Sequence, residues 1–252
     1  MYINNVNIIF YILIGLVGLL VGLFVDWCNS RLPEYKKIFS KEFYTVYLKN
    51  AKPKYLVMCF MSLIYIAILY FVGWKNNMLN VLTLTKYLIL SPMLLSALMI
   101  DWKLQIIPNR LNLTIFEVGL AFTFAEGICN IYVGIDMLLG SLLGAGIFLI
   151  ITLLGGLIAG KEAMGFGDVK LMGAIGLFFG WEKMIMISLI AFLLAAIISI
   201  FLLVTKKRKT DEYIPFGPFI VIASFIVMII PANVLVFTLF KIFTLGMYKG
   251  SL

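Results

Sequence analysis

The chain has 252 residues, of which 63% are apolar or aromatic and 13% charged, against roughly 45–50% and 25% in an average soluble domain. That composition excludes a soluble domain, a disordered tail and a disulfide scaffold, and it points to one integral-membrane domain over residues 1–252. The net charge of +8 reflects the Lys and Arg that membrane proteins gather in their inner loops, so no nucleic-acid partner is expected.

A hydrocarbon core takes about 20 apolar residues per spanning helix. In chain order, apolar stretches fall at 6–25, 55–73, 81–100, 111–133, 137–159, 169–180, 184–204 and 216–230. They predict an all-α, polytopic membrane protein with about eight transmembrane helices. The sixth stretch is short and suits a half-span or a helix buried among others. A ninth, 234–245, contains Lys241 and suits the membrane interface. The first seven residues carry no basic side chain and no small-residue cleavage site follows Val25, so the first stretch is expected to be retained as a span.

Counting Lys and Arg gives an orientation. With the N-terminus outside, the loops 26–54, 101–110, 160–170 and 205–214 face inward and hold 15 of the 20 basic residues. Lys75, Lys86, Lys183, Lys241 and Lys249 then fall on the outer side. The positive-inside rule therefore favours N-terminus out. Glycine pairs at helical small-residue spacing, Gly18 with Gly22, Gly140 with Gly144, Gly156 with Gly160 and Gly176 with Gly180, predict closely packed helices.

The absence of histidine removes Ser-His and Cys-His nucleophile pairs and the H-E-x-x-H zinc site. Cys28, Cys59 and Cys129 are far apart and form no C-x-x-C, so neither bound zinc nor a redox pair is expected. The run Gly155 to Lys161 imitates the start of a phosphate-binding loop, but Glu162 stands where Ser or Thr would hold magnesium. Acid–base chemistry is left to the 12 carboxylates.

Two of these carboxylates stand out. In Gly165-Phe166-Gly167-Asp168-Val169-Lys170 two glycines precede a carboxylate and an apolar helix follows. Glycine lets another backbone approach closely, and Asp168 occupies a position suited to a helix N-cap. Asp101 ends the third apolar stretch, with Pro108 downstream. Under the orientation above, both lie at the inner mouth of the bundle. A close carboxylate pair does not readily hold two negative charges, which yields one acid and one base. Such a pair activates water against an amide carbonyl and protonates the leaving nitrogen. A capping Asp168 would favour the carboxylate and a helix-terminal Asp101 the acid. Glu117 and Glu126, within the fourth stretch, are expected to face the interior, a lysine or a helix end. Asp26, Asp136, Glu162 and Glu182 read as interfacial loop charges.

These motifs resemble those of the type IV prepilin peptidases, membrane aspartic proteases with a GxGD motif. Gly165 to Leu171 matches the segment of the second family aspartate, and Asp101 with Pro108 that of the first. Gly22-Leu23-Phe24-Val25-Asp26-Trp27 with Arg31-Leu32-Pro33 resembles a degenerate form of the bacterial N-terminal pattern. Ile214-Pro215-Phe216-Gly217-Pro218-Phe219 resembles its P-F-G-P segment. The resemblance implies an aspartic endopeptidase of the bacterial plasma membrane that removes the short basic leader of prepilins or pseudopilins at the cytoplasmic face. Its peptidase core would span about 81–204, with Asp101 and Asp168 catalytic. Gly165, Gly167 and Lys170 would belong to the loop that shapes the site. The acids Asp26, Glu34 and Glu162 are candidates to receive a basic leader.

Proteolysis needs no cofactor on this reading. S-adenosylmethionine enters only if the new N-terminus is also methylated, and the first inner loop, with the single Cys28, lacks the paired C-x-x-C motifs common in methylating relatives. Two other readings stay open. A proton-coupled transporter would show an internal repeat of spans, which the sequence lacks. A non-catalytic assembly protein would tolerate Asn at both Asp101 and Asp168.

Overall fold

The computed structural model describes residues 2–4, 6–38, 40–47, 55–159, 164–205 and 215–244. Lys49, Lys52, Lys54, Gly160, Lys161, Glu162, Lys206 to Lys209, Ile214 and Lys249, on which some of the expectations above fall, lie outside these residues.

Nine α-helices occur among the described residues: α1 (Ile8–Arg31), α2 (Tyr55–Val72), α3 (Met78–Leu104), α4 (Asn109–Cys129), α5 (Ile131–Ala159), α6 (Phe166–Phe179), α7 (Trp181–Val204), α8 (Gly217–Ile229) and α9 (Ala232–Phe243). A short antiparallel ladder pairs Tyr2–Ile3 with Val6–Asn7, and one π-helical turn covers Phe43–Tyr47. Six helices, α1 to α5 and α7, are long and apolar enough to cross a membrane. The other two of the eight expected spans are shorter. α6 has 14 residues and α8 has 13, or about 20 Å at 1.5 Å per residue, and both are buried along most of their length.

Two differences from the sequence reading move candidate residues into helices. The stretch 111–133 is two helices. Asn130 adopts an extended conformation after α4, and its side-chain oxygen accepts the Tyr132 N–H at 3.0 Å, an N-cap bond that restarts the chain as α5. Asp136 is consequently a helical residue, and its carboxylate accepts the Trp181 N–H at the start of α7. α1 runs on through Arg31, so Asp26 is a buried helical residue rather than a loop charge. Its carboxylate accepts a hydrogen bond from Tyr47 at 2.8 Å. Tyr47 packs with Trp27 and Phe43, and Arg31 lies over the Trp27 ring and pairs with Glu42.

Glycines set the two closest crossings. α1 lies antiparallel on α2, where a Cβ on Gly18 or Gly22 would stand 2.7 or 2.6 Å from the Cα of Ser62 or Met58. α5 lies antiparallel on α6, where a Cβ on Gly140 would stand 2.6 Å from the Gly180 carbonyl carbon and one on Gly144 2.6 Å from the Met172 oxygen. Backbones this close gain dispersion contacts where lipid supplies no hydrophobic drive.

Two helices carry a buried ion pair. Lys86 of α3 and Glu126 of α4 are 2.9 Å apart and almost wholly buried. This removes Lys86 from the outer loop charges and bears out the interior placement of Glu126; Glu117, by contrast, is exposed on α4. Lys183 of α7 donates to the Tyr87 hydroxyl at 3.1 Å beside this pair.

Candidate active site

Four chain segments converge at one end of the bundle. The first is the end of α3. Gln105 takes a left-handed conformation, φ 55°, and its N–H donates to the Asp101 carbonyl at 2.9 Å, which closes the helix one turn after Asp101. The second is the start of α4. Pro108 is extended, and its carbonyl accepts from Leu111 and Asn112 at 3.0 and 3.2 Å. Proline suits this place because it fixes φ near the required value and lacks an N–H.

The third segment is the GxGD loop. Gly165, not Asp168, is the N-cap of α6, and Asp168 lies in the first turn with its N–H donating to the Gly165 carbonyl at 3.0 Å. α3 also continues three residues past Asp101 to Leu104. The continuation of α3 removes the Asp101 half of the opposed helix-end fields expected from the sequence, while Asp168 keeps a place in the first turn of α6. The fourth segment is the start of α8, where Phe216 is locked among Phe148, Phe192 and Phe219, with ring centroids 5.7, 5.2 and 5.9 Å away. This lock fixes the neighbouring Gly217.

Asp101 and Asp168 are 4% and 3% exposed, and their carboxyls are near enough for the charge of one to act on the other. A Cβ on Gly217 would stand 2.5 Å from Asp101 Oδ2 and 3.2 Å from Ile107 Cδ1, and one on Gly167 would stand 3.4 Å from Ile107 Cβ. Ile107 thus lies between the loop that presents Asp168 and the glycine that faces Asp101. Oδ2 of Asp101 is buried with no hydrogen-bond partner among the described residues, an acceptor without its usual satisfaction.

Of the expected loop residues, Gly165 and Gly167 lie at the start of α6. Lys170 turns to α4, where its ammonium donates to Asn109 Oδ1 at 2.9 Å. Among the acids considered for a basic leader, Asp26 is buried and Glu34 is paired with Lys36 at 2.5 Å. The Glu34 carboxyl is held below its ordinary pKa by that Lys36 bond.

Asn112 was not singled out from the sequence. Its side-chain nitrogen donates to the Gly167 carbonyl at 3.1 Å, so it ties α4 to the GxGD loop. The signal was available: an amide within an apolar helix needs a partner. Among the described residues no group of three or more His, Cys, Asp or Glu side chains gathers in metal-binding fashion. The three cysteines are free thiols.

Comparison with known proteins agrees with the motif resemblance. Residues 88–200, which include Asp101 and Asp168, match the model of the type IV leader peptidase family. The prepilin leader peptidase/N-methyltransferase of Aeromonas salmonicida (strain A449) is 32% identical over 143 residues, 56% of this chain and 48% of that protein. The protein of the same name from Escherichia coli (strain K12) is 33% identical over 135 residues, 52% and 57% of the two chains. That from Legionella pneumophila is 35% identical over 137 residues, 54% and 46%. The chain spans about half the length of the curated relatives it matches. No solved structure matches. Residues 88–200 are therefore similar to the type IV leader peptidase family, and the chain is similar to the prepilin peptidases.

Proposed function

We propose that this chain is a membrane-embedded aspartic endopeptidase that removes the leader from prepilins or pseudopilins. The observation that carries the reading is the burial of two electrostatically interacting carboxyls, Asp101 and Asp168, inside a segment matched by the leader peptidase family. In the reaction, one carboxylate of the pair takes a proton from a water molecule, whose oxygen attacks the scissile carbonyl carbon. The protonated partner donates to the carbonyl oxygen. Collapse of the tetrahedral diol breaks the C–N bond as one carboxyl gives the nitrogen a proton and a diol hydroxyl returns its proton to the other, so water is consumed and the pair is again singly protonated. The buried Asp101 Oδ2 supplies an acceptor for this water.

The site is read as lying at the cytoplasmic face of the bacterial plasma membrane, with the N-terminus outside. The count of inner-loop Lys and Arg supports this. The relatives' name includes N-methyltransferase. The described part of the first inner loop does not fit an additional S-adenosylmethionine. Asp26 accepts from Tyr47, Trp27 Nε1 donates to the Ile38 carbonyl at 3.0 Å, and the Trp27 ring is covered by Arg31.

The test is co-expression with a prepilin substrate, read as the mobility shift of leader removal. The wild type is expected to cleave, and Asp101→Asn and Asp168→Asn are each expected to reduce cleavage by roughly 10²–10⁴-fold. Undiminished cleavage in either variant would overturn the dyad, and a prepilin left uncut by the wild type would favour a non-catalytic assembly role.

A further inference from the structure

Beside the GxGD loop a groove of about 460 Å³ opens between α4, α5 and α6. Leu113 and Phe116 form one exposed apolar wall. Ser141, Ala145 and Gly173 form a floor of small residues, where a Cβ on Gly173 would stand 3.2 Å from that of Ala145. Such a floor admits the backbone of another helix at close range.

Asn112 lines this groove and is 4% exposed. Its amide has one chemically consistent orientation. The group facing the Gly167 carbonyl must be the NH₂, because an oxygen there would oppose another acceptor. Oδ1 is then the remaining group, and it is buried with no partner among the described residues. A buried acceptor of this kind is costly unless it is satisfied in some state of the molecule.

A helix beginning within the membrane has the complementary need. Its first four N–H groups lack intrahelical partners, and hydrocarbon offers them none. We propose that Asn112 is a substrate-positioning residue. Its Oδ1 accepts a main-chain N–H at the start of the substrate's apolar helix, which lies in the α4–α5–α6 groove. The other end of the same amide holds the carbonyl of Gly167, one peptide from Asp168, so a single side chain sets the substrate helix in register with the carboxylate. This rests on the peptidase reading above, and it names the surface and the atom that receive the substrate.

The test uses the full chain in proteoliposomes with a peptide that covers the leader junction and the first turns of the apolar helix. A set of peptides each carries one amide-to-ester replacement, which removes one N–H. One ester position just after the cut is expected to raise KM about 10-fold in the wild type, with kcat little changed. In Asn112→Leu the all-amide peptide is expected to show the raised KM, and that ester to cost nothing further. A structural role alone would not single out one peptide bond.

A second measurement does not depend on the folding of that variant. With Cys28, Cys59 and Cys129 replaced, Phe116→Cys in the groove is expected to form a disulfide with a cysteine in the substrate helix. Phe124→Cys, exposed elsewhere on α4, is expected not to. If the wild type cuts the all-amide peptide but no ester position distinguishes it from Asn112→Leu, or Phe116→Cys crosslinks no better than Phe124→Cys, the proposal falls and the peptidase reading stands. If the wild type leaves the all-amide peptide uncut, the peptidase reading fails and the positioning role fails with it.

Discussion

The Asp101 carboxyl lies directly against the backbone of Gly217, with no room between them for a methyl group. The two residues belong to α3 and α8, and the Phe148, Phe192 and Phe219 rings that hold Phe216 keep that backbone in place. Gly217→Ala is therefore expected to push the Asp101 side chain from its position while leaving the bundle folded. A displacement of about 1 Å near a reacting centre costs on the order of 10²-fold in rate. Leader cleavage should fall by about that factor, with a melting temperature in detergent close to that of the wild type. Full activity in Gly217→Ala would show that the contact does not constrain the carboxyl.

The Lys86–Glu126 pair gives a prediction with opposite outcomes for single and double substitution. Removing one partner leaves a buried charge uncompensated and costs about 3–5 kcal/mol, whereas exchanging both for apolar residues of similar volume is close to neutral. Lys86→Met and Glu126→Leu are each expected to lower the melting temperature strongly, and the double variant to recover most of the loss. Additive losses in the double variant would mean that the pair stabilises through packing alone.

The α5–α6 crossing is expected to be sensitive at one glycine and indifferent at another. A Cβ on Gly176 would stand 2.5 Å from the Gly140 carbonyl carbon and the Ser141 nitrogen, while one on Gly146 meets nothing within 4 Å. Forcing a methyl group into a packed contact costs about 1–3 kcal/mol. Gly176→Ala should destabilise the protein by that amount and shift α6, which carries Asp168, so that cleavage declines as well. Gly146→Ala, in an open part of the same helix pair, should be neutral or slightly stabilising. Thermal unfolding of the two variants side by side decides the matter.

The sequence made the spans and the placement of Asp101 and Asp168 at one end of the bundle legible, because both follow from apolar run length and loop position. It did not separate α4 from α5, since Asn130 is a single capping residue inside an otherwise continuous apolar stretch. Lys86 was counted with the loops because its partner, Glu126, is brought near only by tertiary packing. Gly217 was visible as part of a recognisable segment, but its contact with Asp101 depends on how α8 seats against α3. The side-chain amide of Asn112 is ordinary in sequence; its role follows only from the orphaned oxygen and the bond to Gly167.

The first inner loop supplies a pH-dependent prediction away from the site. Tyr47 donates to Asp26 at 2.8 Å, and burial, reinforced by that carboxylate, holds its phenol above the ordinary value of 10.0. At neutral pH the hydroxyl stays protonated and satisfies a buried acceptor. Tyr47→Phe is therefore expected to cost about 1–3 kcal/mol, read as a lower melting temperature in detergent at pH 7–8. The sign of the pH effect follows from linkage. Above pH ~10 the unfolded phenol ionises while the folded one does not. The wild type then loses stability as pH rises toward the folded pKa, and Tyr47→Phe has no phenol to lose. The gap between the two proteins should narrow as the pH is raised above about 10. A gap that stays constant or widens over that range would show that the Tyr47–Asp26 bond does not anchor the loop to α1.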